Sequence, residues 1–252
     1  IWVPAASVQF RAPLPRPINI DCMAVNYMES GTKKEKSPIN AFLKASNSVI
    51  GPNETMVCQD VPATIYEGEA ELGLVMGKRA YQVSEDDAMD HVFGYVNFID
   101  GSARGLPPAG NVFYQMKARE TFSPLGPYIV TKDEIDDPQN LDVKLWVNGV
   151  LKQDFNTDDM AHSIKTCISW VSHVHTMEPG DVLATGTNHR GLNPFHDGDI
   201  VELEIEGLGR LTINVQDDLK RTWERIVRSD RTDKGLEPPH APQLTGKYAP
   251  KN

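Results

Sequence analysis

Cysteine is scarce in this chain: Cys22, Cys58 and Cys167 are its only three, widely spaced and without a CxxC pair. So odd and scattered a set excludes a disulfide scaffold and gives no structural zinc pattern; reduced thiols and a cytoplasmic location are the expectation. Long apolar runs are also missing. No stretch reaches the roughly 18 residues of a membrane-spanning helix, and no signal-peptide core is visible. The sequence begins at Ile1 and not at a Met, so its true N-terminus is left open. Basic blocks are lacking too. The densest basic run, "TKKEK" at 32–36, contains a Glu and suits a solvated loop, and the net charge is −10. That balance disfavours a nucleic-acid backbone or an anionic membrane surface as partner.

What is present is an ordinary globular composition, 40% hydrophobic and 24% charged over 252 residues. That length suits one large domain, or a main domain with a small companion. The Pro-rich "RAPLPRP" marks an extended arm over residues 1–20, and "MESGTKKEKSPIN" a polar loop with glycine and proline. A soft boundary is placed after "VIGPNET", giving an N-terminal arm and lid region at 1–55 and a main domain at 56–252. Short strands are expected at 18–27, 64–77, 92–99, 127–130 and 141–147 from alternation and β-branched content. Asn148-Gly149 between apolar runs signals a type I′ hairpin, and Gly207 to Gly209 a second turn. Met160, Ile164, Ile168 and Val171 recur at helical spacing. Short helices are also expected after Ser84 and over "DDLKRTWERIVRS". No internal repeat or low-complexity segment appears. The sum is a β-rich α+β protein with peripheral helices.

Within that frame, "YEGEAELGLVMGK" at 66–78 carries Glu67, Glu69 and Glu71 on one face of a strand. Like charges so placed repel one another. Alternating glutamates suit a solvated surface, but the flanking run is unusually apolar and glycine-rich for one. A hard divalent cation would relieve the repulsion between Glu69 and Glu71, and oxygen donors favour Mg²⁺, Mn²⁺ or Ca²⁺ over zinc. Asp100, at the end of the apolar "GYVNFID", is a candidate third ligand.

At these residues the chain resembles the fumarylacetoacetate hydrolase family. "EAELGLVMGK", "GYVNFIDGSAR", "FSPLGPYIV", "VNGVLKQ", "MEPGDVLATGT" and "GDIVELEIEGLGRL" occur in the family's order, over roughly residues 20 to 217. The resemblance implies a mixed β-roll, a homodimer, and a divalent metal held by Glu69, Glu71 and Asp100. It implies a 2-oxo or 2,4-dioxo carboxylic acid substrate, chelated through its carboxylate and keto oxygen. Lys117, before "PLGP", matches the family lysine that would stabilise an enolate. Lys44 in "FLKAS" matches a lysine near the substrate, with Ala45 in place of the usual proline. Thr187 in "TGTNHRGL" corresponds to the threonine that holds the substrate carboxylate, with Asn188 where many members have proline. Arg104 matches the family's "D-x-T-x-R", with a choice left open between substrate contact and a structural ion pair.

The chain departs from the hydrolytic members of the family at "NYMESGTK", where Ser30 and Lys33 replace the His and Glu of their "NY-x-x-H-x-x-E" dyad. Glu120 also replaces a family aspartate. Glu29, with Glu35 nearby on the same loop, and His189 are the candidate replacements for the missing base, although no sequence pattern fixes any of them at the site. His173 and His175, at a helix C-terminus, are read as structural. The resemblance still puts C–C bond hydrolysis of an acylpyruvate-like acid first, as the family's commonest assignment. Isomerisation, decarboxylation or hydration is the close alternative, and a non-catalytic binding protein is a further one.

Overall fold

Apolar and alternating runs of this sequence become strands, and its Asn-Gly and Gly-rich stretches become the turns between them. The computed structural model describes residues 2–4, 7–107, 113–237 and 240–250. In chain order the strands are β1 (Ile20–Met23), β2 (Ala41–Lys44), β3 (Val49–Ile50), β4 (Thr55–Val57), β5 (Ile65–Met76), β6 (Val92–Arg104) and β7 (Ser123–Thr131). There follow β8 (Asp142–Val147), β9 (Val150–Asn156), β10 (Val182–Ala184), β11 (Ile200–Ile205), β12 (Arg210–Gln216), β13 (Thr222–Trp223) and β14 (Gln243–Thr245). Among the described residues three α-helices accompany them: α1 (Phe113–Lys117), α2 (Ile164–Val174) and α3 (Arg228–Asp233).

The strands form a mixed seven-stranded sheet in the order β2-β1-β10-β5-β6-β7-β3, a five-stranded sheet in the order β4-β12-β11-β8-β9 and a two-stranded β13-β14 sheet. In the seven-stranded sheet, β1, β2 and β3 from before residue 55 lie beside strands from after it. β8, β11 and β12 alternate, with Val143, Leu145, Val201, Leu203, Leu211 and Ile213 fully buried on one face. They join β5 residues Ala70, Leu72 and Leu74 in one core cluster. The β-rich α+β architecture expected from the sequence is the one observed.

Several local expectations change. β6 runs on to Arg104, so Asp100 lies inside a strand and not at its end. Its pairing with β5 continues through Ile65↔Arg104, and that ladder carries the strand past residue 99. The segment after Ser84 closes as a 3₁₀ turn at Ala88–His91, with the Ser84 hydroxyl turned onto the Asp87 side chain. "DDLKRTWERIVRS" is not a helix until Arg228. Burial of Arg221 and Trp223 decides this: Arg221 is locked to Asp217 and to the carbonyls of Cys58 and Val61, while Trp223 pairs with Gln243 of β14. The Asn148-Gly149 turn has both residues at positive φ, 52° and 74°, as a type I′ hairpin requires. α2 is capped by Ser163, whose side chain accepts the Thr166 N–H.

Candidate active site

The acidic strand is buried at every position from Ile65 to Met76. Such a strand cannot carry three carboxylates unless each has a compensating partner. Gly68 lets it sit deep, since a Cβ there would lie 2.6 Å from the Phe195 ring. The three glutamates find different partners.

Glu69 stands directly opposite Asp100 in the β5–β6 register. With Glu71 they form a cluster whose oxygens lie within 4.8 Å of one another, all buried. The antiparallel register thus assembles two of the three acids, and the period of two along β5 supplies the third. Burial, with Asp100 and Glu69 beside it, pushes the Glu71 carboxyl well above the ordinary range. Burial acts the same way on Glu69, but the Lys117 and Arg104 cations outweigh it and hold that carboxyl well below the range. Oxygen donors so crowded fit a hard divalent cation, which would neutralise their mutual repulsion.

Three cations close around the cluster. Lys117, at the end of α1, donates to Glu69 Oε1 at 2.6 Å and to Asp100 Oδ2. Phe113 of the same helix stacks on Phe42 of β2 with centroids 4.6 Å apart, and the Lys117 ammonium lies 5.4 Å from the Phe42 ring. Lys44 is wholly enclosed and donates to Asp100 Oδ1 and the Gly101 carbonyl. Arg104 donates to Glu67 and Glu69. Of the three residues named for the substrate, Lys44 and Arg104 pair with carboxylates of the acidic cluster and its neighbour, for Arg104 the ion pair that the sequence reading left open. The charge density of the buried strand draws them there.

Glu67 is fully buried between two guanidiniums, that of Arg104 and that of Arg228 in α3. The sequence left it as a flanking acid; Arg228, about 160 residues downstream, carried no local signal.

The turn after β10 faces the cluster. Gly186 has φ +88°, and its N–H donates to Glu71 Oε2 at 2.7 Å. A Cβ at Gly186 would meet Asn26 Cβ at 3.0 Å, so glycine is required twice over. With that N–H occupied by Glu71, the hydroxyl of Thr187 is a donor that the turn offers. Thr187 is buried and its Oγ1 accepts from Gln153 Nε2 at 2.9 Å, which leaves its O–H free to donate. Gln153, in β9, was not anticipated. Its Nε2 also reaches the Asn188 carbonyl, and its Oε1 accepts from Ala70 N–H at 3.0 Å, between Glu69 and Glu71. One buried amide thus ties the acidic strand to the Thr187 turn, a role that a lone Gln in an exposed-looking hairpin does not announce.

Glu29 and His189, separated by 160 residues, meet at this site. The His189 ring Nδ1 lies 2.7 Å from Glu29 Oε1, and its backbone N–H donates to Glu29 Oε2 at 2.9 Å. The ring's far nitrogen, Nε2, is 4.0 Å from Glu69 Oε2. Burial pushes the Glu29 carboxyl up, but His189 and Lys33, the latter 3.1 Å away, outweigh it and lower it. Glu29 and Ser30 both hold left-handed backbone, φ 57° and 53°, a strained arrangement for two non-glycine residues. Ser30 is turned toward Asn188 and Asp159. His175 bonds to Asp21 at 2.9 Å, away from the cluster, and His173 to the Ser169 carbonyl of its own helix.

Residues 19–216 match the family model described as fumarylacetoacetate (FAA) hydrolase C-terminal. The mitochondrial oxaloacetate tautomerase of Xenopus laevis is 37% identical over 220 residues, which cover 82% of this chain and 68% of that protein. A maleylpyruvate hydrolase from Sphingobium sp. SYK-6, solved with a manganese(II) ion and pyruvate, superposes with a TM-score of 0.76 at 37% identity, over 85% of this chain and 76% of that one. A 2-hydroxyhepta-2,4-diene-1,7-dioate isomerase from Mycobacterium marinum does so with a TM-score of 0.75 at 34% identity, over 86% and 81%. Together with the β-rich fold and the buried acidic cluster, these similarities show that the chain belongs to the fumarylacetoacetate hydrolase family.

Proposed function

We propose that the chain is a divalent-metal-dependent hydrolase that cleaves the C–C bond of an acylpyruvate-like 2,4-dioxo acid. The observation that carries this reading is the Glu29–His189 pair beside Glu69, because hydrolysis needs a base for water and "NYMESGTK" by itself offers none. Glu69, Glu71 and Asp100 would hold Mg²⁺ or Mn²⁺, which supplies Lewis acidity to a 2-keto oxygen.

The rest is done by side chains. The Thr187 hydroxyl binds the substrate carboxylate. Glu29, kept ionised by His189 and Lys33, accepts the hydrogen bond of the His189 Nδ1–H and so leaves Nε2 as the basic nitrogen. Nε2 takes a proton from water as the oxygen attacks the acyl carbonyl carbon. The C–C bond then breaks, its electron pair leaving on the pyruvate fragment as an enolate. The buried Lys117 ammonium stabilises that charge, and the proton held by His189 is returned to it. The products are a carboxylic acid and pyruvate.

A second reading, keto–enol tautomerisation of a 2-oxo acid, is favoured by the relatives named as tautomerase and isomerase. The same dyad would move one proton between carbon and oxygen without adding water. Purified protein with Mg²⁺ or Mn²⁺, an acylpyruvate and oxaloacetate, followed by NMR, separates the two. Acylpyruvate cleavage to pyruvate plus an acid supports hydrolysis. Enol–keto exchange of oxaloacetate without cleavage of the acylpyruvate refutes it in favour of the tautomerase.

A further inference from the structure

Between the edge strand β2 and α2 lies a cavity of about 250 Å³, lined among others by Asp21, Ala41, Leu43, Trp170, Val174 and His175. Asp21 of β1 stands directly opposite Leu43 of β2, so these two side chains share one face of the sheet. Alternation sends Phe42 and Lys44, which meet Lys117 and Asp100, to the other face. The sheet thus separates this cavity from the acidic cluster.

Most of its walls are apolar, yet Asp21 lines it and is only 4% exposed. Asp21 Oδ1 lies 2.9 Å from His175 Nε2, while Oδ2 is buried and has no hydrogen-bond partner among the described residues. His175 Nδ1 meets the Thr176 carbonyl at 2.9 Å. Beside an ionised Asp21 both ring nitrogens therefore face acceptors, and the ring is an imidazolium. That cation balances Asp21 alone. Burial, with the Asp181 charge adding to it, pushes the Asp21 carboxyl up against the pull of His175. Asp181 itself is fully buried and is held only by the backbone N–H groups of Asn19 and Glu178 and the Asn19 amide; among the described residues no cation pairs with it. Two carboxylates and one imidazolium leave one negative charge uncompensated.

A buried carboxylate oxygen without a donor is costly, and a charged N–H is the donor that satisfies it best. We infer that this cavity is a second binding site, separate from the acidic cluster, and that it takes a small primary ammonium compound with one apolar group. The ammonium donates to Asp21 Oδ2; the carboxylate torsion of Asp is broad, so a modest turn presents that oxygen to the cavity. The apolar group lies against Leu43, Val174 and the half-buried Trp170, whose ring also favours a cation. A volume below the roughly 300 Å³ of the smallest drug-sized pockets limits that group to about one ring or a branched alkyl chain.

NMR titration tests it, with Mg²⁺ in excess so that a free cation is not drawn to Glu69, Glu71 and Asp100. The probes are benzylammonium and 3-methylbutylammonium, their neutral counterparts benzyl alcohol and 3-methylbutanol, and methylammonium, which lacks the apolar group. At least one of the two larger amines should bind about 10-fold or more tightly than its alcohol and than methylammonium, the range of a charge-assisted hydrogen bond. It should also shift the indole N–H resonance of Trp170, assigned with Trp170→Phe. Asp21→Asn should erase the preference for the amine. Leu43→Arg, at a half-exposed position, sets a guanidinium directly across from Asp21 and supplies the missing donor from within the chain. It should remove amine binding without lowering the melting temperature, and it decides the question if Asp21→Asn does not fold. Absence of amine binding, equal affinity for amine and alcohol, a preference that survives either folded variant, or binding that leaves the Trp170 resonance unmoved overturns the site.

Discussion

Replacing Glu67 with Gln removes one charge that two guanidiniums share. Glu67 is fully buried, while the side chains of Arg104 and Arg228 keep only 18% and 16% of their surface exposed. Taking one partner from a buried ion pair costs about 3 to 5 kcal/mol, because the remaining charge is left desolvated and unmatched. Here Arg104 retains Glu69 and both arginines keep some water, so the low end applies, about 3 kcal/mol. At roughly 2–4 °C per kcal/mol for a chain of this size, the melting temperature should fall by about 6–12 °C. Arg228 tethers α3 to the acidic strand, so residues 217–237 should also become sensitive to limited proteolysis. Adding Arg228→Gln should return part of the loss, since the unmatched cation goes with it. The pH dependence has a definite sign. Burial raises the Glu67 carboxyl, but Arg228 and Arg104 outweigh it and the net shift is downward. Its contribution is therefore present above the unfolded glutamate pKa and lost as pH falls through the lower folded value. A Glu67→Gln protein within about 0.5 kcal/mol of the native one, as at an ordinary surface site, would refute this account of the strand.

Gln153→Leu should destabilise by roughly 1–3 kcal/mol, because the Ala70 N–H and the Asn188 carbonyl lose their buried partner. It should also raise KM by freeing the Thr187 turn; an unchanged KM would remove Gln153 from the positioning of that turn. His189→Gln should lower kcat by about 10²- to 10⁴-fold with little change in metal affinity, and Glu29→Gln should lower it less, by loosening the ring. Equal activity of His189→Gln and native protein would exclude His189 as the base.

Much of this was legible because the signals are local. Glu69 and Glu71 announce themselves by alternation in an apolar strand, and Asn148-Gly149 by its turn chemistry. Asp100 was named correctly as a neighbour of the pair but for the wrong reason, since pairing with β5, and not a strand end, brings it there. What stayed hidden is long-range. The meeting of Glu29 with His189, the grip of Gln153 on two strands, and the reach of Arg228 to Glu67 each join residues about 80 to 160 positions apart. No periodicity or spacing encodes such contacts; they follow from which strands become neighbours. Lys44 and Arg104 show the converse. Their positions were visible, but the buried acids decide which carboxylates their charges pair with.

The central claim is that Glu69, Glu71 and Asp100 hold a divalent cation on which a 2-oxo acid binds. Titration of Mn²⁺ into the metal-free protein, with and without pyruvate, tests it most directly. One ion per chain is expected, with pyruvate binding only when the metal is present. Glu71→Gln and Asp100→Asn should each weaken Mn²⁺ binding by at least about 10-fold, the low end of what even outer-shell changes produce. Unchanged Mn²⁺ affinity in both variants, or metal-independent pyruvate binding, would contradict it.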